Sequence, residues 1–295
     1  MVSEISILIP VYNQNVSALV DNLLSQASQL AISFEIRVYD DGSSPETLAK
    51  NQSLGQRPGV IYRELPENLG RSQIRYLMAQ EAKYNQLLFL DNDVLPRYPD
   101  FLSRYLQQFN GQVTVGGVAY QKKVLAGTEL RWKYGKAREE APAVQRQKTP
   151  YQRIFSSNFL VDRSLFLTYF PRKEVRGYGH EDTLFAHRLQ ENKIPVMHID
   201  NPVWHLGLEP AQLFLLKTNE AILNLARLNQ QMNLGQESRL YKLYHSLKKW
   251  KADVFLKENS SWLLPMIKRN LVSRNPSLYL FDLYRLLLLD RYLRK

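Results

Sequence analysis

The chain has 295 residues and no cysteine, which excludes disulfide bonds and thiolate metal sites. A hydrophobic fraction of 44% provides for a sizeable core. The net charge of +11 is uneven, because residues 236–295 carry 13 Lys and Arg against 5 Asp and Glu, about +8.

The first part of the chain alternates strand and helix patterns at short intervals. It begins with a strand pattern, not a signal-type segment, and has no apolar run of about 18 residues, so we expect a cytoplasmic protein without a spanning helix. The alternation indicates βαβ units on a parallel sheet. The predicted strands are 5–11, 34–39, 60–64 and one ending at 91, and the predicted helices are 15–30, one capped by Ser44 and Pro45, and 71–83.

The pattern changes after residue 93. A helix is predicted at 100–109, a strand at 113–120, a polar and basic loop at 125–151, a helix from about 163, a helix at 181–191 and a strand at 195–199. From about residue 210 the pattern is helical throughout. We therefore predict a catalytic or binding domain at 1–209 and a basic helical extension at 210–295. The loop either closes over a ligand or is a solvated connector.

Acidic side chains follow two of the predicted strands. The carboxyl ends of parallel strands lie along one edge of a sheet, where ligands bind. Asp93 is suited to a divalent cation on phosphates, Asp91 to a ribose, Asp40 or Asp41 to a base or ribose, and Tyr12 to stacking on a base. Together they predict a nucleotide-diphosphate site. Taken singly, each has a plainer interpretation as a rim aromatic or a capped turn.

Four motifs, in order and spacing, resemble the opening half of the family 2 glycosyltransferases of GT-A fold. They are residues 9–13 (Ile-Pro-Val-Tyr-Asn), 40–44 (Asp-Asp-Gly-Ser-Ser), 68–72 (Asn-Leu-Gly-Arg-Ser) and 91–93 (Asp-Asn-Asp). The resemblance covers roughly residues 3–207. It implies an α/β GT-A fold, in which a Rossmann-like mixed sheet is flanked by helices. It also implies sugar transfer from a nucleotide donor, usually a UDP-sugar, with Mn²⁺ or Mg²⁺. The residues expected at the donor are Pro10, Tyr12, Asn13, Asp40, Asp41, Arg71, Asp91, Asn92, Ser157, Asn158 and Trp204.

The resemblance extends to residues 177–182 (Gly-Tyr-Gly-His-Glu-Asp), which open a predicted helix. It assigns Asp182 as the general base of an inverting transfer, with Glu181 as the rival or as an acceptor contact. A carboxylate is stabilised at a helix start, so both are also ordinary first-turn residues. His205 is expected to hold the metal with Asp93, a mixed donor set that suits Mn²⁺ better than Mg²⁺.

Several roles stay open. Trp204 either packs against a sugar or belongs to the core, and residues 156–158 either read sugar hydroxyls or form a turn. Arg71 and Arg75 share a helix face, and either could contact the base or a phosphate. Tyr76 stands where relatives often have asparagine, so the role of Arg75 is open.

The basic extension interleaves apolar and cationic residues, for example Leu243, Leu247 and Trp250 among lysines. Its last helix, predicted at 281–290, is too short to span a bilayer. It could lie on an anionic membrane face, bind a partner, or pack on its own domain. A lipid-linked acceptor would explain such a tail.

The sequence thus favours a glycosyltransferase that builds a cell-surface glycan. A nucleotidyltransferase would need a Gly- and Arg-rich loop after the first strand, which this chain lacks. The alternative is a non-catalytic protein that binds a nucleotide-sugar, a partner or nucleic acid. Nucleic-acid binding would show a salt-dependent affinity, and the motifs make it the less favoured alternative.

Overall fold

The computed structural model describes residues 2–175, 177–232, 239–249 and 252–294. The chain divides into two compact units, and two segments from the middle of the chain belong to the same unit as the C-terminal residues. The domain boundary expected at residue 210 stays a prediction. The first unit comprises Met1–Gln121, Arg138–Glu174 and Glu181–Gly207, and the second comprises Lys122–Ala137, Val175–His180 and Leu208–Lys295.

The strands all belong to the first unit. They are β1 (Glu4–Val11), β2 (Ser33–Asp40), β3 (Val60–Glu64), β4 (Gln86–Leu90), β5 (Val94–Pro96), β6 (Val113–Val115), β7 (Val118–Ala119), β8 (Asn158–Asp162), β9 (Val196–His198) and β10 (Val203–His205). Seven form a sheet in the order β3-β2-β1-β4-β8-β6-β9, in which β8 runs antiparallel to its neighbours β4 and β6. A smaller sheet has the order β5-β10-β7. The predicted mixed α/β sheet is therefore confirmed.

The helices cover this sheet and build the second unit. They are α1 (Ser17–Ala27), α2 (Pro45–Asn51), α3 (Arg71–Glu81), α4 (Phe101–Gln108), α5 (Glu129–Tyr134), α6 (Ala143–Arg146), α7 (Arg163–Tyr169), α8 (Glu181–Glu191), α9 (Ala211–Met232), α10 (Arg239–Lys249), α11 (Ala252–Leu271) and α12 (Leu278–Leu293). Residues 87–90 of β4 are fully buried, as expected for a strand covered on both faces.

Two predictions between residues 113 and 151 are wrong. The single strand at 113–120 is broken at Gly116 and Gly117, where Gly117 has a φ of +89° and a Cβ on Gly116 would clash with the Asn201 carbonyl. The predicted loop at 125–151 instead contains α5, a π-helical turn at Gly135–Glu139 and α6. Burial drives this order, because Leu130 is 0% exposed.

The second unit has its own apolar core. Leu130 of α5 packs there with residues of α9 and α12, including Phe214, Phe281 and Leu289. The predicted helical C-terminal extension is confirmed, although Trp250 of the predicted apolar and basic pattern lies outside the described residues. Among the helices that the structure describes, none is both long and apolar enough to cross a bilayer.

Candidate active site

The carboxyl ends of β1, β2 and β4 lie at one edge of the sheet, where the sequence predicts a donor site. Strand β1 lies between β2 and β4, so the strand order reverses there, and open α/β sheets generally bind ligands at such a reversal. Hydrogen bonds tie the loops together: the Asn13 amide donates to Ser43 Oγ (2.8 Å), and the Asn92 side chain donates to the Tyr12 carbonyl (3.3 Å). Tyr12 is 53% exposed, which leaves this residue accessible to a stacking partner.

Asp40 and Asp41 have different environments. Asp41 accepts hydrogen bonds from the amides of Leu69 (2.7 Å) and Gly70 (3.0 Å), and burial raises its pKa. Asp40 accepts from the Ser43 amide (2.7 Å) through Oδ1. Its Oδ2 is buried and has no hydrogen-bond partner among the described residues. Asp41 thus stabilises the loop before α3, while Asp40 has one carboxylate oxygen, Oδ2, that accepts no hydrogen bond from the described residues.

Asp91 is held by arginines of α3. Arg75, only 2% exposed, forms an ion pair with Asp91 and donates to the Arg71 carbonyl (2.9 Å). Burial alone would raise the pKa of Asp91, but the two arginines outweigh it and the pKa is lowered. Arg71 lies 3.6 Å from Asp91 and 3.9 Å from Glu181, so it stands between the two predicted halves of the site. Arg75, whose role the sequence left open, therefore forms an ion pair inside the protein.

The expected metal ligands are brought together by strand pairing. β5 and β10 are antiparallel with His205 opposite Val94, and the Leu206 amide donates to the Asp93 carbonyl (2.8 Å). As a result, His205 Nε2 lies 3.7 Å from Asp93 Oδ2. Within the described ranges no cluster of three or more acidic or His side chains suits a metal. One carboxylate and one imidazole fit Mn²⁺ only if substrate oxygens or water complete its coordination.

The surroundings of this pair were not foreseen from the sequence. The ring of Tyr120 stacks on the His205 imidazole, with centroids 5.5 Å apart. The Tyr120 hydroxyl donates to Glu139. A Cβ on Gly207 would lie 2.7 Å from the Asp93 Cβ, so only glycine fits this close approach. No local sequence pattern singles out Tyr120, because its contacts are made by residues distant in the chain.

Asp182, the predicted general base, lies in the first turn of α8. Its Oδ2 accepts a hydrogen bond from the Ser156 amide (3.0 Å). Loss of hydration and the neighbouring Glu181 carboxylate raise the pKa of Asp182 to about 7. Glu181 is 4% exposed, and its Oε2 has no hydrogen-bond partner in the described part of the chain. A carboxylate that titrates near neutrality is matched to proton transfer.

Not every predicted residue joins this group. Asn158 is 1% exposed, and its amide nitrogen donates to the carbonyls of Gly117 (2.8 Å) and Asn201 (2.9 Å). The Asn158 side chain therefore stabilises the backbone that follows β6.

The other predicted donor residues have these contacts. The Ser157 carbonyl accepts a hydrogen bond from the Asp91 amide (3.4 Å), and the Arg97 guanidinium lies 4.8 Å from the Trp204 ring. Pro10 is half-buried near the end of β1.

Solved structures with a similar fold are glycosyltransferases. S. aureus TarS 1–349 shares 18% identity, with 99% of this chain and 89% of that chain covered and a TM-score of 0.51. The mannosyltransferase PcManGT from Pyrobaculum calidifontis, solved with GDP-Man and Mn²⁺, shares 12% identity over 97% and 85% of the two chains, with a TM-score of 0.55. These likenesses show the GT-A fold.

A third similar structure is glucosyl-3-phosphoglycerate synthase from Mycobacterium tuberculosis, solved with Mn²⁺, UDP and glucosyl-3-phosphoglycerate. It shares 16% identity over 76% of this chain and 78% of that chain, with a TM-score of 0.50. No curated protein matches the sequence. The family described as "Glycosyl transferase family 2" matches residues 6–170, which is more than half of the chain. Family and fold together support a nucleotide-sugar glycosyltransferase, and the chain belongs to glycosyltransferase family 2.

Proposed function

We propose that this chain catalyses inverting transfer of a hexosyl or N-acetylhexosaminyl group from a nucleotide diphosphate, expected to be UDP. The acceptor is a hydroxyl of a glycan or lipid-linked glycan in cell-surface polysaccharide synthesis, at the cytoplasmic face of a membrane. The observation that carries the proposal is Asp182, a carboxylate with a pKa of about 7 in the same unit as the Asp93–His205 pair.

Each residue group has a separate task in this reaction. Tyr12 stacks on the base, and Asp40 and Asp91 accept hydrogen bonds from base and ribose. Asp93 and His205 would hold Mn²⁺ or Mg²⁺, which when bound neutralises the diphosphate leaving group. Because the Ser156 amide occupies Asp182 Oδ2, Oδ1 is the oxygen that takes the proton of the acceptor hydroxyl.

Further donor contacts are proposed for residues near these strand ends. Asn13 and Asn92 shape the loop that carries Tyr12. The Asn92 side chain donates to the Tyr12 carbonyl, and the Asn13 backbone amide donates to Ser43 in the loop that follows Asp40. Arg71 is positioned to contact the diphosphate or Glu181, to which it lies 3.9 Å away. Pro10, Asp41, Ser157 and Trp204 complete the proposed donor surroundings.

The test is release of nucleoside diphosphate from a panel of nucleotide sugars with Mn²⁺, together with calorimetric binding. Asp182→Asn should lower kcat by at least about 100-fold while nucleotide diphosphate still binds. Asp93→Ala should lose both metal-dependent binding and turnover. Asp100→Asn is the matched control, because Asp100 is an exposed carboxylate paired with Arg104. Absence of binding by every nucleotide diphosphate would overturn the donor site.

A further inference from the structure

A row of large apolar side chains stays exposed on the outer side of α11. Trp262 is 50% exposed and Met266 is 63% exposed, one helical turn apart. Val272 follows at the end of the helix with 39% exposure, and Tyr279 at the start of α12 is 86% exposed. A contiguous group of exposed apolar side chains marks an interaction surface more often than single exposed ones do.

The charged side chains within residues 259–281 are all cationic. Lys268, Arg269 and Arg274 are all exposed, and no Asp or Glu occurs anywhere in residues 259–281. Arg269 follows Met266 by three residues, so it lies on the same side of α11 as Trp262 and Met266. Residues 259–281 therefore combine apolar and cationic side chains, and the nearest acidic residues along the chain are Glu258 and Asp282.

The opposite side of α11 anchors this surface. Ile267 is 3% exposed and Leu271 is 0% exposed, and both belong to the apolar core of the second unit. Ser277 caps α12 by accepting from the Leu280 amide (3.4 Å), and its own amide donates to Asn270 Oδ1 (2.9 Å). The exposed residues are thus presented by an ordered corner between two helices.

We propose that this corner, Trp262, Met266, Lys268, Arg269, Val272, Arg274 and Tyr279, docks the protein on an anionic lipid bilayer. Trp and Tyr favour the boundary between headgroups and acyl chains, where an apolar body and a polar tip are both accommodated. Lysines and arginines beside them are attracted to anionic headgroups. Charge complementarity favours a bilayer, because a fluid anionic surface adapts to several cations spread over α11 and the turn that follows it. The proposal concerns the second unit alone and does not depend on the donor chemistry.

The test is flotation of the full chain with vesicles of phosphatidylcholine, with and without phosphatidylglycerol. We expect binding only to the anionic vesicles. Two double variants should each lower the fraction bound by about tenfold or more: Trp262→Ser with Met266→Ser, and Lys268→Glu with Arg269→Glu. Both should do so because insertion of the apolar side chains and attraction of the cations to headgroups act together.

Matched controls separate a docking surface from general stickiness. Leu213→Ser with Leu216→Ser removes two exposed apolar side chains of α9, and Lys122→Glu with Lys123→Glu makes the same change of charge elsewhere. Both controls should float like the original chain. The proposal is overturned if the original chain does not bind anionic vesicles, or if controls and corner variants lose binding equally. Nucleotide diphosphate binding, measured alongside, reports on the separate donor-site proposal and on folding.

Discussion

Asp182 and Glu181 are adjacent carboxylates, and their negative charges repel each other. Burial is the main cause of the raised pKa of Asp182, and the Glu181 charge adds to it. Arg71 lies 3.9 Å from Glu181 and partly compensates that charge. Below a pH of about 7 Asp182 is protonated and cannot accept a proton, so transfer should increase as the pH rises through that value.

Glu181→Gln should therefore move the acid limb of the kcat profile toward lower pH. Removing the neighbouring negative charge lowers the pKa of Asp182, by on the order of one unit. The measurement is kcat for nucleoside diphosphate release across the pH range in which the protein stays folded. Glu46→Gln, a change at an exposed carboxylate paired with Lys50, should leave the profile in place. An acid limb that does not move in Glu181→Gln would contradict the assignment of Asp182 as base.

The positions of four carboxylates of the candidate site could be predicted, because they adjoin apolar strands. Asp40, Asp41, Asp91 and Asp93 lie at strand ends in the structure, as the pattern indicates. What the sequence could not distinguish is how each carboxylate is used. Asp41 is occupied by two backbone amides, and the buried partner of Asp91 is Arg75. Those assignments depend on contacts between elements and have no local signature.

At the scale of elements, α6 is anchored by a buried arginine. Arg146 of α6 is 1% exposed and donates to the carbonyls of Val115 (3.1 Å), Gly116 (3.0 Å) and Ile199 (2.7 Å). Its guanidinium also contacts His198 Nδ1 (2.7 Å), and burial lowers the pKa of His198 to about 4. In a sequence, Arg146 looks like one more solvated residue of a basic loop.

Arg146→Met should lower the free energy of unfolding by about 3 kcal/mol or more, because several buried carbonyls lose their donor. Urea denaturation followed by circular dichroism measures the change. Arg63→Met is the comparison, since Arg63 is exposed and its ion pair with Glu81 contributes about 1 kcal/mol at most. Equal stability losses in the two variants would show that the buried hydrogen bonds do not anchor α6.

The elements themselves were predictable to different degrees. The early strands and helices have apolar periodicity over five or more residues, and the structure has them close to the predicted positions. The smaller sheet was not predicted, because β5 and β10 have three residues each and β7 has two, too few to show a period. α5 was missed because its buried Leu130 is covered by residues far along the chain.

At the scale of the molecule, the chain passes between the two units five times, since the second unit is assembled from three separate segments. The boundary predicted at residue 210 treats that unit as a simple C-terminal appendage. If the segments depend on each other, a chain ending at Glu209 would leave Leu130 without the apolar partners that α9 and α12 provide.

Truncation after Glu209 should therefore lower the unfolding temperature and promote aggregation, measured by calorimetry and size-exclusion chromatography. Leu130→Ser should have opposite effects in the two backgrounds. In the full chain it should destabilise the fold by about 2–5 kcal/mol, as expected for a core change, while in the truncated chain it should improve solubility. A truncated chain that unfolds cooperatively at the original temperature would support an autonomous domain at 1–209.

The five crossings also set an order of events during synthesis. Residues 122–137 leave the ribosome well before α9–α12, which supply most of the second unit. At common translation rates, roughly 10 to 30 s separate the synthesis of α5 from that of α12. The residues of α9 and α12 that cover Leu130 are therefore synthesised well after α5 itself, so Leu130 has none of these apolar partners during that interval.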